Sequence, residues 1–174
     1  VLIPGSTATI SDLAHFRKQG WDIDLTAHIR RGGRVLGICG GYQMLGREIH
    51  DPDGIEGPPQ SVAGLGHLDV VTTMAAEKRL ALSAATYLPT GAAVAGYEIH
   101  IGKTTGPDCG NAWLQTNAGS EGAATATGQI QGCYFHGLFT GDDFRRDFLA
   151  GLGLQDSHNL YQDTVEATLD QLAE

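Results

Sequence analysis

Apolar residues fall at two spacings along the chain, and the points where one gives way to the other outline its elements. Val1-Leu2-Ile3 is a short apolar run that meets Pro4-Gly5, the pattern of a buried strand ending in a loop. Ser11-Asp12-Leu13-Ala14-His15-Phe16 offers a capping residue followed by apolar positions at helical spacing, and Gly20 stops that helix. A second helix is expected from Trp21 or Asp22 to Arg31, then a short apolar strand over 34–38, then a helix from Gly40 or Gly41 to the neighbourhood of Glu48. Residues 51–66 are rich in Gly, Pro and Asp and read as a long loop, after which ordered segments resume at His67-Leu68-Asp69-Val70-Val71. Strands are expected over 93–101, 123–127 and 129–135, with Gly128-Gln129 turning the last two into a hairpin. Helices with an apolar face are expected over 144–152 and 165–172, the second as a terminal arm or a surface for a partner.

The strand-helix-strand rhythm of the first fifty residues implies an α/β fold, a mostly parallel sheet flanked by helices, with some antiparallel pairing downstream. One domain over 1–151 and a helical tail over 152–174 are expected. No internal repeat or low-complexity tract interrupts the pattern. The opening on a strand end, with no leader before it, suggests that the chain starts partway into a domain.

Composition narrows the chemistry. A chain of 174 residues is long enough to bury a conventional core. Its formal charge of -9 argues against nucleic acid, whose binders depend on clustered Lys and Arg. Arg30-Arg31 precedes Gly32-Gly33 and reads as a helix end, with cations at the carboxyl dipole and glycine in the cap. No apolar run approaches the roughly 18 residues of a membrane span, so no membrane partner is expected. Cys39, Cys109 and Cys133 form neither an even set nor a C-x-x-C pair, so no disulfide framework and no metal site are expected, and a reducing cytoplasm fits. No Gly-x-x-x-x-Gly-Lys-Ser/Thr loop occurs, so no nucleotide cofactor is expected in this chain.

The sharpest chemical signal is Val35-Leu36-Gly37-Ile38-Cys39-Gly40-Gly41-Tyr42-Gln43-Met44-Leu45-Gly46. Gly37-x-Cys39-x-Gly41 has the spacing of a nucleophile elbow, in which glycines permit a turn too tight for side chains and leave the thiol exposed at a helix start. The free N–H groups and dipole there favour a thiolate and can stabilise an oxyanion, so Cys39 is the candidate nucleophile. Cys133 lies in an apolar strand and Cys109 in a Gly-Pro-Asp loop; both read as structural. A thiol nucleophile needs a base that returns the proton to the leaving group. Among seven histidines, His136 is the best placed, because it follows the apolar run 130–135 and opens into Gly137 at a strand end. His100 is second: alternation puts Glu98 and His100 on one strand face, with Tyr97, Ile99 and Ile101 on the other.

Four stretches carry a resemblance: Pro4-Gly5-Ser6-Thr7-Ala8-Thr9 with Asp12-Leu13, the elbow 37–46, Gly96-Tyr97-Glu98-Ile99-His100-Ile101-Gly102, and Tyr134-Phe135-His136-Gly137-Leu138-Phe139. On them the chain resembles the class I glutamine amidotransferases, and within these the corrinoid branch. The resemblance implies a flavodoxin-like fold, truncated at its N-terminus by a strand, helix and strand. It implies that Cys39 attacks the side-chain amide of glutamine, that His136 acts as base and then acid, and that ammonia leaves a thioester. It assigns oxyanion donors to Gly40 and the Gly5 loop, and a glutamine contact to Gln43. It places ATP and Mg2+ in an absent upstream synthetase domain, which holds the corrinoid substrate and is the expected partner. Many relatives carry a glutamate two residues after the histidine; here that residue is Leu138, and Glu98 is a conceivable substitute. Three alternatives stay open: an amidotransferase of this group with another acceptor, a cysteine peptidase or hydrolase of similar fold, and a non-catalytic docking domain.

Overall fold

A computed structural model of the chain describes residues 1–154 and 161–173, with backbone alone for 77–81, 161, 162 and 173. The first part runs β1 (Leu2–Ile3), α1 (Thr9–Lys18), α2 (Trp21–Arg30), β2 (Val35–Ile38) and α3 (Gly40–Leu45). The middle is β3 (Glu48–Asp51), β4 (Gln60–Ala63), β5 (Val71–Tyr87) and β6 (Ala92–Thr105). It continues through β7 (Leu114–Thr116), β8 (Gly119–Glu121), β9 (Ala123–Ala124), β10 (Ile130–Cys133) and β11 (Phe135–His136) to α4 (Asp142–Gly151) and α5 (Tyr161–Ala173).

Two sheets result. The first has the order β1-β2-β10-β9, parallel across its first three strands and antiparallel at β9. Its central strands are buried on both faces, as a covered parallel sheet requires. Val35 and Ile130 enter a core with Ile10, Leu13 and Leu25 of α1 and α2, whereas Leu36 and Cys133 enter a second core with Trp113, Leu138 and Phe144. The second sheet has the order β11-β6-β5-β3-β4, with β7 and β8 added beside β5, and every pairing except β3 with β5 is antiparallel. The parallel expectation therefore holds in the first sheet, while the second makes the whole molecule mixed.

Several boundaries differ from the sequence pattern for identifiable reasons. The first helix begins at Thr9 rather than behind a Ser11 cap; Ser6 Oγ accepts from the Ala8 N–H at 2.9 Å and Glu56 from the Ile10 N–H at 2.9 Å, so remote groups serve its first turn. The elbow helix stops at Leu45, because Gly46 is extended, and Glu48 starts β3 instead of ending a helix. The loop expected over 51–66 contains β4, held against β3 from Glu48↔Ala63 to Asp51↔Gln60. β5 was not signalled by alternation, and β6 is longer than expected; the two form a hairpin from Tyr87↔Ala92 to Val71↔Thr105, with a register irregularity between Thr73 and Lys78. The strand expected over 123–127 is confined to Ala123–Ala124, and that over 129–135 divides at Tyr134 into β10 and β11. Because β11 has only two residues, it covers β6 at Tyr97 and Glu98 and leaves the following edge of β6 open toward α3.

Candidate active site

Cys39 occupies the sharp turn between β2 and α3 with φ 52° and ψ -113°, and among the described residues it alone combines a side chain with positive φ. Such backbone persists only where its surroundings over-determine it. Here the Cys39 N–H donates to Cys133 O at 2.8 Å, the Cys39 carbonyl accepts from the Gln43 N–H at 3.1 Å, and the Gly41 N–H donates to Pro4 O at 3.1 Å. Gly41 is required: a Cβ there would fall 2.1 Å from Ile3 O, so any side chain would push β1 away from the elbow.

The thiol donates to Ile99 O at 3.3 Å across the open edge of β6. Burial pushes its pKa above the ordinary thiol value, while the Gly40 N–H pulls it the other way more weakly. The N–H donor expected at the helix start is in place, and burial opposes it more strongly.

His136 closes β11 and lies on the other side of Gly5. A Cβ on Gly5 would stand 3.4 Å from both Cys39 Cβ and His136 Cε1, so the absence of a side chain there keeps the space beside thiol and imidazole clear. His136 Nε2 is buried with no hydrogen-bond partner among the described residues. The ring lies parallel to that of Tyr97, with centroids 5.0 Å apart and planes 5° apart.

Gln43 is one helical turn beyond Cys39 and only 3% exposed. Its Nε2 donates to Ile101 O at 3.0 Å and Tyr134 Oη at 3.2 Å, and its Oε1 accepts from Thr9 Oγ1 at 3.1 Å. Both amide protons are committed, so what Gln43 can offer a ligand is the second lone pair of its carbonyl oxygen.

These groups line one cavity of about 630 Å³, bounded by Gly5, Thr9, Cys39, Gln43, His100 and His136, with Asp12 and Glu56 on its wall. His100 enters by stacking on Tyr134 at 3.9 Å and placing Nδ1 3.0 Å from Gly102 O. Ile99 and Ile101 also border the cavity, where their carbonyls accept from Cys39 and Gln43. Glu98 is elsewhere. It is 4% exposed, lies opposite Phe135 rather than His136, and accepts from Ser83 Oγ at 3.3 Å. It is not among the residues that line the cavity, and strand alternation puts its side chain on the face opposite to that of Tyr97, the residue paired with His136. Leu138 is buried in the second core.

Sequence reasoning missed Thr9 and Glu56, and it gave Asp12 no role. Asp12 accepts from Ser6 Oγ at 2.5 Å and so braces the loop that carries Gly5. Glu56 comes from the 51–66 segment, whose turn is fixed by buried Asp51 accepting from the Ile55 and Glu56 N–H groups at 2.8 Å each. The Asp51-to-Glu56 spacing was legible as a turn, not as a wall of this site. Among the described residues, no group of three or more His, Cys, Asp or Glu could hold a metal ion. No helix among them is long and apolar enough to cross a membrane.

Comparison with known proteins agrees with the geometry. The CobB/CobQ-like glutamine amidotransferase domain matches residues 1–144. The cobyric acid synthase of Ruegeria sp. (strain TM1040) is 60% identical over 173 residues, 99% of this chain and 36% of that protein. That of Rhodobacter capsulatus is 55% identical over 174 residues, 100% of this chain and again 36% of its own length. The chain thus spans little more than a third of these relatives. Among solved structures, a glutamine amidotransferase superposes with a TM-score of 0.59 at 19% identity, covering 88% of this chain and 78% of that one. PurLQS from Thermotoga maritima superposes with a TM-score of 0.52 at 16% identity, covering 76% and 66%. At these identities the two structures speak for the α/β amidotransferase fold.

Proposed function

Because the chain belongs to the CobB/CobQ-like glutamine amidotransferase domain family, we propose that it is the glutamine-hydrolysing part of a cobyric acid synthase and supplies ammonia for amidation of corrinoid side-chain carboxylates. The observation that carries the reading is the strained Cys39 elbow facing His136 across Gly5 in one cavity.

In this reading, glutamine enters with its side-chain amide between thiol and imidazole. His136 removes the Cys39 proton as the sulfur attacks the amide carbon, and the carbonyl electron pair moves onto oxygen. The Gly40 N–H and the Gly5 loop stabilise that oxyanion, and Gln43 borders the bound substrate. His136 returns the proton to nitrogen, ammonia leaves, and water then attacks the thioester with His136 as base, releasing glutamate. Asp12 and Glu56 give the wall a negative field suited to the α-ammonium group of an amino acid substrate. The acceptor chemistry, adenosylcobyrinic acid a,c-diamide to cobyric acid, belongs to the remainder of the length seen in the relatives, where ATP and Mg2+ would activate the carboxylates. The thiol nucleophile, one of three free cysteines, suits a reducing cytoplasm.

The test is glutamate release and ATP-dependent corrinoid amidation by the full chain as its gene encodes it. Cys39→Ala should lower glutamine-dependent amidation roughly 10⁴-fold or more while leaving amidation driven by free ammonia. Loss of both, in a folded protein, would assign Cys39 to the fold instead.

A further inference from the structure

Among the described residues, no carboxylate is placed on His136 as the orienting acid of such triads. Leu138 is buried in the second core, and Glu98 lies opposite Phe135 on the far face of β6. Something must nevertheless fix the imidazole plane, because its Nε2 is buried without a partner among the described residues and two residues of β11 are a short anchor.

Tyr97 meets the requirement. It lies directly opposite His136 in the β6–β11 register, so the two side chains share a face, and their rings are stacked with planes 5° apart. The backbone is shaped for this contact. A Cβ on Gly96 would fall 2.0 Å from His136 O, so the neighbouring position must be glycine for the strands to come this close. Tyr97 is 41% exposed, more than a residue serving the core would be, and its apolar face is spent on the imidazole. An aromatic face also attracts a cation more than it attracts a neutral ring. When the Cys39 S–H bond breaks and its proton passes to His136, the charge that forms lies against the Tyr97 ring.

We propose that Tyr97 is the positioning residue of this site, taking the place of the absent triad acid by holding the His136 imidazole in plane and stabilising its protonated form. The inference rests on the glutaminase reading above. Its test uses the full chain as its gene encodes it, with Tyr97→Leu, Tyr97→Met and Tyr97→Phe beside Cys39→Ala and His136→Gln. Glutamine hydrolysis by Tyr97→Leu and Tyr97→Met should fall roughly 10- to 100-fold in kcat with KM little changed, and Tyr97→Phe should restore kcat. In a Cys39→Ala background, the His136 ring protons should carry an upfield ring-current displacement that Tyr97→Leu removes and Tyr97→Phe keeps.

Unchanged kcat in Tyr97→Leu, a change confined to KM, a fall in Tyr97→Phe as deep as in Tyr97→Leu, or no displacement of the His136 protons would overturn the assignment. Activity that survives Cys39→Ala or His136→Gln would instead overturn the glutaminase reading, so the two failures are distinct.

Discussion

At the residue scale, the site turns on a thiol made less acidic by its own burial. Cys39 lies above the ordinary thiol range, so the free protein holds it protonated at neutral pH, and the thiolate fraction rises as pH climbs toward and past that range. Alkylation of Cys39 by iodoacetamide should therefore accelerate steadily from pH 7 upward; a rate already on a plateau at pH 7 would mean a standing thiolate. Glu56 makes a second residue-level prediction. Glu56→Gln keeps an acceptor for the Ile10 N–H but removes the charge, so KM for glutamine should rise roughly tenfold with kcat less affected, as measured by steady-state glutamate release. Cys39 and His136 were legible as candidates because glycine spacing and a strand end announce where a backbone turns and what it exposes, whereas Gly5 and Gln43 entered through the resemblance to the class I glutamine amidotransferases. Glu56 was not legible, since its approach to α1 depends on a turn of the chain 46 residues away.

At the element scale, the short β11 is decisive. By beginning only at Phe135 it leaves the β6 edge beyond Glu98 open, and the Ile99 and Ile101 carbonyls of that edge accept from Cys39 and Gln43. Gly96→Ala would drive a Cβ into His136 O, costing about 1–3 kcal/mol of stability and displacing His136. Denaturant unfolding should show the first effect, and a drop in kcat larger than that of a comparably destabilising core mutant should show the second. The helices and β2 could be read because their apolar spacing and glycine stops agree with their burial. β5 could not: residues 74–85 are rich in Ala, Leu, Glu, Lys and Arg, which favour helix, and pairing with β6 on one edge and β3 and β7 on the other overrides that preference. Gly46 set the end of α3 against a following Arg-Glu pair that also favours helix.

At the scale of the whole molecule, the first sheet supplies the elbow and the second supplies the base, and the cavity forms where they meet. The α/β class followed from the first fifty residues, whereas the antiparallel character of the second sheet comes largely from pairings of consecutive strands, β3 with β4, β5 with β6 and β7 with β8, that apolar alternation did not mark. The central claim is that Cys39 carries the reaction covalently. Rapid acid quench of the full chain turning over glutamine, followed by mass spectrometry of its peptides, tests this most directly. The account predicts a γ-glutamyl thioester on the peptide bearing Cys39, absent in Cys39→Ala together with glutamate release; glutamate formed at an undiminished rate by Cys39→Ala, with no adduct on that peptide in the unmodified protein, would contradict it.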